Sequence, residues 1–212
     1  MIKNYYGETY FAWQKKSGLL TSKLSLFKFE NFIKFEMNVL EFGCGGGYLL
    51  DKIDANQKKG IEVNPVALQV CLEKKLDVVS NFNQIPDGWA DIVISNHVLE
   101  HVENPIQELK NLKDKMKPNA TIVFLVPNEK RAKYDPNDIN KHLYTWTELN
   151  LGNLFVAAGY EVIKVEEVKH RWFPLIDKFL ILFGLKATHI LCVIYGHLFN
   201  NLSQIRIVGR KQ

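Results

Sequence analysis

A run of glycines after a short apolar segment constrains this chain more than any other feature of its sequence. Residues 37–42 (MNVLEF) lead into the segment GCGGG at 43–47, and apolar residues then recur at helical spacing over 48–56. This order predicts a strand, a tight turn and a helix. Glycines in such a turn permit positive φ and let a ligand lie against the backbone, where it meets the free N–H groups of the helix start.

Apolar and amphipathic segments alternate along the chain up to residue 168. Asn64-Pro65 supplies an N-cap and a first-turn proline, and Thr145 and Glu148 have the spacing of a capping box. We therefore expect an α/β fold, with a doubly wound, mostly parallel seven-stranded sheet whose ligand crevice lies at the carboxyl ends of the strands. The other predicted strands are 60–63, 77–80, 91–95, 121–126, 160–168 and, at the edge of the sheet, 202–208, and the predicted helices include one from residue 64, one over 105–116 and one over 145–158.

The pattern of the turn excludes two common nucleotide-binding motifs. A P-loop needs Gly-Lys-Ser/Thr, which is missing, and the dinucleotide pattern G-x-G-x-x-G would place its third glycine at Tyr48, which argues against a nicotinamide oxidoreductase. The pattern is instead E-x-G-x-G-x-G starting at Glu41. Glu62 follows the second predicted strand, nineteen residues after Gly43, where a carboxylate can accept both hydroxyls of a ribose.

Four sequence blocks within residues 37–168 resemble the class I S-adenosylmethionine-dependent methyltransferases. In order they are VLEFGCGGG, GIEVNP, DIVISNHVLEHV and KPNATIVFLVPN. The block HVLEHV, together with HLYTWTELNLGNLFVAAGYEV, is most similar to the small-molecule branch that includes the ubiquinone-biosynthesis O-methyltransferases, and the DPPY-type and NPPY-type tetrapeptides of nucleic-acid methyltransferases are absent. The resemblance implies a Rossmann-like methyltransferase fold with S-adenosylmethionine as cofactor.

The resemblance also implies which residues hold the first half of the cofactor. The carboxylate of Glu41 would help to hold its amino group, and Glu62 with the adjacent Val63 would contact the ribose. The turn would surround the methionine part through Gly43, Cys44, Gly45 and Gly47.

Two further pairs of residues follow later strands. Family members usually have an aspartate after the third strand that binds the adenine amino group, and the best match here is Asn81, with Phe82 beside it. Asparagine in place of aspartate departs from the family pattern. Its amide oxygen still accepts a hydrogen bond, but it lacks the negative charge. Asn96 and His97, at the end of the fourth strand, would line the methionine and sulfonium side.

Transfer of a methyl group to a hydroxyl needs orientation and a general base, and histidine titrates near neutral pH. His101 and His142 follow strand ends and are the candidate catalytic bases. If a helix follows the fourth strand, His97, Glu100 and His101 share one face of it, a spacing that can hold a metal. The ubiquinone-pathway enzymes have E-x-x-E-H there, associated with a divalent cation. His97 replaces the first acid, and we expect no metal.

The sequence predicts one domain of 212 residues. We expect an N-terminal helical lid (1–36), a cofactor-binding core (37–168), a helical insertion (169–200), and a last strand with a tail (201–212). The three cysteines lack CxxC spacing and no secretory signal is evident, so we expect a cytoplasmic protein. The aromatic residues of the first segment either close over the site or pack an amphipathic helix on the sheet; they are Tyr5, Tyr6, Tyr10, Phe11 and Trp13.

The C-terminal part of the chain is basic and apolar. Residues 169–212 carry seven basic residues and a single acid, Asp177, and a chain that is basic at one end only is not typical of a nucleic-acid binder. Residues 172–199 contain two apolar segments separated at Gly184, each too short to span a bilayer. They predict an interfacial hairpin or lid that touches anionic lipid or a lipid-linked substrate, or else a helical pair packed on the sheet or between the subunits of a homodimer.

The leading hypothesis is an enzyme that moves a methyl group from S-adenosylmethionine to a small-molecule acceptor. The expected acceptor group is a hydroxyl of a sugar, a lipid-linked compound or an aromatic metabolite. The alternative is a catalytically silent subunit that binds S-adenosylmethionine and scaffolds an active partner.

Overall fold

The computed structural model describes residue 18 and residues 22–129, 133–199 and 203–212. The strands are β1 (Asn38–Phe42), β2 (Gln57–Ile61), β3 (Val78–Val79), β4 (Ala90–Asn96), β5 (Met116–Asn128), β6 (Tyr160–Val168) and β7 (Ser203–Lys211). The helices are α1 (Tyr48–Lys52), α2 (Pro65–Glu73), α3 (Pro105–Lys115), α4 (Glu148–Ala157) and α5 (Ile176–Leu198). Short 3-10 turns occupy Glu30–Phe32, Phe82–Gln84 and Leu99–His101.

All seven strands form one sheet in the order β3-β2-β1-β4-β5-β7-β6. Strands β1 to β5 pair in parallel, and β7 pairs antiparallel with both β5 and β6. The predicted doubly wound, mostly parallel sheet is therefore confirmed. The predicted position of the last strand is wrong, because β6 is the edge strand and β7 is inserted beside β5.

The burial of β7 explains its inner position. Ile205 and Ile207 are fully buried in the core cluster on one face of the sheet, and Val208 is buried in the cluster on the other face. A strand covered on both faces gains more apolar burial between two neighbours than at an edge.

Two apolar layers cover the sheet because side chains alternate along each strand. On β4, Ile92 and Ile94 belong to a cluster that contains Phe29 and Leu50. Val93, between them, belongs to the larger cluster on the opposite face. The layers hold β1, β4 and β5 rigidly, so the loops at their carboxyl ends are well supported.

Local backbone chemistry moves some helix ends from their predicted places. Helix α1 ends at Lys52 rather than near residue 56, because Ile53 is extended. The predicted Thr145–Glu148 capping box is also wrong. The N-cap of α4 is Thr147, whose hydroxyl accepts from the Asn150 N–H while the Asn150 side chain accepts from the Thr147 N–H.

The segments outside the sheet pack against each other. Residues 22–26 are helical, and Leu24 contacts Ile176 and Cys192 of α5. Gly184 has φ 76° and ψ 177°, so α5 consists of two helical parts that meet at the predicted break. By length and composition α5 is the one helix of the described ranges that could cross a membrane, a criterion that core helices also meet. The five aromatic residues of the predicted lid lie outside the described residues.

Candidate functional site

A cavity of about 500 Å³ lies at the carboxyl ends of β1, β4 and β5, where the sequence predicts the crevice. Four groups of residues line it. The first is the glycine turn with Glu41 and the start of α1, and the second is the loops after β4 and β5. The third comes from residues 18–28 and from residues 170–172, and the fourth is the start of β7. The predicted site residues among them are Glu41, Gly43, Cys44, Gly45, Asn96, His97, His101 and His142.

The turn between β1 and α1 has a backbone that requires glycine. Gly43, Gly45 and Gly47 have φ angles of 69°, 53° and 68°. A Cβ at Gly43 would lie 2.4 Å from the Val98 side chain. The N–H groups of Gly43 and Cys44 both donate to the Ile61 carbonyl, which ties the turn to the end of β2. The turn therefore presents backbone, rather than side chains, to the cavity.

Glu41 fits the predicted contact with a cationic amino group. Its side chain is on β1, lines the cavity, and is only 3% exposed. One carboxylate oxygen, Oε2, is buried and has no hydrogen-bond partner among the described residues. Burial raises the pKa of Glu41 well above its usual range. An ammonium group placed against Oε2 would supply the missing hydrogen-bond partner and would favour the ionised form of the Glu41 carboxylate.

Glu62 holds the glycine turn itself. Its Oε2 accepts from the Gly45 N–H at 2.7 Å, and its Oε1 accepts from the N–H groups of Val63 and Asn64, each at 2.8 Å. A carboxylate has about four acceptor positions, and these bonds occupy three of them. Glu62 lies outside the lining of the cavity, and its contact with the ribose stays a prediction. Burial raises the pKa of Glu62, although the hydrogen bonds from the three backbone donors lower it in part. Val63 is 77% exposed beside it.

Asn81 and Phe82 lie outside the lining of the cavity. The Asn81 side chain accepts from the Asn83 N–H at 2.8 Å and so caps the short turn that follows β3. The Phe82 ring stacks on Phe42 with 6.1 Å between centroids. Their predicted contact with adenine stays a prediction.

The segment after β4 differs from the helix considered in the sequence analysis. It forms a 3-10 turn, and His97 has a φ of 59° with its N–H donated to the Leu125 carbonyl. The condition under which His97, Glu100 and His101 would share one face of a helix is therefore not met. The Nδ1 atom of His97 lies 3.3 Å from Oε1 of Glu100, whose side chain is fully buried.

The loop after β5 brings the second candidate base to this turn. The His101 and His142 rings meet edge to face with centroids 4.8 Å apart. The Nδ1 of His142 is 2.8 Å from Oε2 of Glu129, which also lines the cavity. The Leu143 N–H donates to the Glu100 carbonyl at 2.8 Å and pins the loop in place.

Glu129 is a candidate site residue that the sequence analysis missed. It directly follows β5, so the rule that places polar side chains at strand ends in the crevice could have identified it. Its pairing with His142, thirteen residues later, depends on the path of the loop.

The surroundings of the two histidines favour a neutral His101 and orient the ring of His142. Burial lowers the pKa of His101, His142 and His97 add to this effect, and Glu100 opposes it. His101 is therefore neutral at pH 7. An ionised Glu129 carboxylate accepts hydrogen bonds but cannot donate one. It therefore favours the His142 tautomer with the proton on Nδ1, which leaves Nε2 as the acceptor.

The same residues could also hold a cation. Ligand atoms of Glu100, His101 and His142 all lie within 4.8 Å of one another. Both carboxylate oxygens of Glu100 are buried without a hydrogen-bond partner in the part of the chain that is described. A mixed nitrogen and oxygen set of this kind suits a divalent transition metal.

The glycine turn, the polar strand ends and the sheet order define a protein of the class I S-adenosylmethionine-dependent methyltransferase type. Residues 12–165 match the family described as "Methyltransferase domain", and the chain belongs to this family. The ubiquinone biosynthesis O-methyltransferase of Rickettsia conorii is 33% identical over 135 residues, which are 56% of this chain and 45% of that protein. The chain spans less than half the length of the curated relatives it matches.

Solved structures share the fold at low identity. A SAM-dependent methyltransferase from Archaeoglobus fulgidus has a TM-score of 0.67 at 22% identity, over 95% of this chain and 99% of that one. The [4+2]-cyclase SpnF has a TM-score of 0.63 at 18% identity, over 94% of this chain and 83% of that one. A cyclase with this fold illustrates that the reaction must be argued from the site.

Proposed function

We propose that this protein transfers the methyl group of S-adenosylmethionine to a hydroxyl of a small acceptor. The observation that carries the proposal is the Glu129–His142–His101 cluster, which opens into the same cavity as the glycine turn. The names of the curated relatives, ubiquinone biosynthesis O-methyltransferases, support an oxygen acceptor. A sugar, a lipid-linked compound or an aromatic metabolite remains the proposed acceptor class.

Bound S-adenosylmethionine supplies an electrophilic methyl carbon on a sulfonium. The acceptor hydroxyl gives its proton to Nε2 of His142, and its oxygen forms the bond to the methyl carbon. Transfer of the methyl group would leave the electron pair of the broken carbon–sulfur bond on sulfur, so the products would be the methyl ether and S-adenosylhomocysteine. Glu129 orients the His142 ring and stabilises the imidazolium that forms.

Neighbouring residues favour this proton transfer. A neutral His101 next to His142 adds no positive charge that would oppose protonation of the base. The turn of Leu99–His101, in which Leu99 and Glu100 are buried, and the hydrogen bond from the Leu143 N–H to the Glu100 carbonyl keep the two rings in contact. Fixed orientation of the base and the acceptor provides much of the rate enhancement in such displacements.

The first experiment is a calorimetric titration with S-adenosylmethionine and S-adenosylhomocysteine, with NADH as the control. Turnover is then screened against hydroxyl acceptors with and without a chelator. His142→Ala should lower turnover by about a hundredfold while cofactor affinity stays near that of the wild type. His197→Ala, on the exposed end of α5, is the matched control and should keep full turnover.

Three outcomes would contradict the proposal. Cofactor binding without turnover on any acceptor would favour the alternative, a scaffold subunit. Equal losses of turnover and cofactor affinity in His142→Ala would indicate a structural role for the histidine. Complete loss of turnover with the chelator, restored by a divalent cation, would assign Glu100, His101 and His142 to a metal instead of to proton transfer.

We also propose that the first part of α5 rests on an anionic lipid surface. Its side chains Ile181, Leu182 and Phe183 are 83%, 74% and 61% exposed. The exposed Lys178 and Lys186 flank them, in the most basic part of the chain. Apolar side chains bordered by lysines are typical of segments that insert shallowly into anionic membranes.

Vesicle sedimentation tests this contact. The protein should bind phosphatidylglycerol vesicles and not phosphatidylcholine vesicles, and Phe183→Asp should abolish the binding. Tyr134→Asp, a 92% exposed aromatic residue elsewhere, is the control. A wild-type dimer in light scattering that Phe183→Asp converts to a monomer, without vesicle binding, would instead assign the surface to a second copy.

A further inference from the structure

A cationic corner of the cavity has no role in the proposed methyl transfer. It is formed by Lys28, from the N-terminal segment, and by His170 and Arg171, which follow β6; we call it the Lys28 corner. Lys28 is 7% exposed and His170 is 6% exposed. Both ring nitrogens of His170 are buried and have no hydrogen-bond partner within the described ranges. A buried imidazole on a cavity wall with two unsatisfied nitrogens indicates a missing polar partner.

The corner is rigidly built. The His170 ring stacks on His189 with 5.2 Å between centroids, and His189 stacks on Phe27 at 4.1 Å. The backbone N–H of Arg171 donates to the Cys192 carbonyl at 3.0 Å, and its guanidinium Nη1 donates to the Phe199 carbonyl at 3.1 Å. These contacts fix the segment after β6 against α5, so the charged groups are held in place before any ligand arrives.

The electrostatics of the corner favour an anion. Burial lowers the pKa of Lys28 to about 8, and the pKa of His170 falls to about 3 because of burial and the charge of Lys28. Among the described residues, no acidic side chain forms an ion pair with Lys28; Glu30, the acid near His189, is exposed. A buried ammonium without a counter-charge is costly, and a bound anion would remove that cost.

We propose that the Lys28 corner binds an anionic group, a phosphate or a carboxylate, carried by the methyl acceptor. This inference rests on the proposed function, since it places the acceptor in the same cavity, with its hydroxyl at His142. The buried hydroxyl of Ser25 adds a further donor to the lining. The acceptor class thereby narrows to hydroxyl compounds that carry a phosphate or carboxylate.

The test measures binding without turnover, so that it can fail independently of the proposed function. Phenyl phosphate, benzoate and uncharged benzyl alcohol are titrated calorimetrically into the protein saturated with S-adenosylhomocysteine. At least one of the two anions should bind, and Lys28→Met should weaken that binding by about tenfold or more, because a charge-assisted hydrogen bond is lost. Benzyl alcohol should bind weakly and equally to both proteins. Lys28→Arg, which keeps the charge, should retain part of the anion affinity.

The pH dependence gives a second readout. Burial raises the pKa of Cys192 to about 11 and lowers those of His170 and His189, so of these groups Lys28 alone titrates between pH 7 and 9. Lys28 is charged below pH 8, so anion affinity should be full at pH 7 and should fall as the pH rises through about 8. In Lys28→Met this dependence should disappear.

Several results would overturn the inference. Equal binding of the anions to the wild type and to Lys28→Met would overturn the inference. Failure of both anions to bind would overturn it as well. If Lys28→Met weakens binding of S-adenosylhomocysteine but not of 5′-methylthioadenosine, which lacks the amino acid part, Lys28 holds the carboxylate of the cofactor instead. If anion binding depends on Lys28 but the protein shows no turnover, the Lys28 corner remains an anion-binding site and the proposed methyl transfer is overturned. An unchanged thermal unfolding midpoint shows that the variant is folded.

Discussion

The lining of the cavity has two parts that are built in different ways, and we call them the cofactor end and the acceptor end. The proposed cofactor end is centred on one short stretch, residues 41–47, whose backbone conformation requires glycine and whose single acidic side chain, Glu41, is buried. The proposed acceptor end gathers Lys28, His170 and the Glu129–His142 pair from three separate parts of the chain. A site formed by the backbone can be predicted from a local sequence motif, whereas a site formed by side chains depends on which loops the fold brings together. Predictions that separate the two ends follow, from the largest effect to the smallest.

Gly43→Ala should abolish measurable cofactor binding, with a loss of about a hundredfold or more, because the added Cβ would meet Val98 at 2.4 Å in a positive-φ backbone. Calorimetry with S-adenosylhomocysteine measures the effect. Gly88→Ala is the matched control, since Gly88 has a φ of 64° and nothing within 4 Å of an added Cβ. An equal loss in both variants would mean that general backbone strain, not the turn, is responsible.

Glu62→Ala should weaken cofactor binding by about 1.5 to 3 kcal/mol, because the carboxylate holds Gly45 and has an acceptor position left for the ribose. Glu62→Gln keeps one acceptor oxygen and should lose less. The acceptor end of the cavity should be unaffected, so the affinity for phenyl phosphate or benzoate should not change. A dissociation constant for S-adenosylhomocysteine equal to that of the wild type would remove the assignment.

Glu129→Gln should lower turnover by about tenfold and leave cofactor affinity unchanged, because the amide still contacts His142 but no longer stabilises its charge. Single-turnover rates measure this effect. Asp135→Asn, in the exposed part of the same loop, is the control. If cofactor affinity falls together with the rate, the two ends of the cavity are coupled more strongly than their construction indicates.

Asn81→Asp should tighten cofactor binding by about threefold to fivefold if this position contacts the adenine amino group, because the hydrogen bond becomes charge-assisted. The cap of the following turn should survive, since aspartate accepts the Asn83 N–H as well as asparagine does. Unfolding midpoints check the fold, and calorimetry measures the affinity. Unchanged affinity would place adenine away from Asn81.

Much of the fold followed from local patterns. The alternation of apolar and amphipathic segments predicted the strands of the parallel sheet, and the Asn64-Pro65 pair predicted the start of α2 correctly. One error arose where two local choices compete for the same helix start. Thr145 and Thr147 both precede Glu148, and the reciprocal bonds with Asn150 selected Thr147.

The sequence by itself determined the strand, the glycine turn and the helix over residues 38–52, because a left-handed turn needs glycine at particular positions. It also placed His101 and His142 after strand ends. Only the tertiary structure decided that β7 lies inside the sheet, that Glu129 reaches His142, and that Lys28 and His170, 142 positions apart, line one cavity. Such contacts depend on burial shared by distant segments, and no spacing along the chain encodes them.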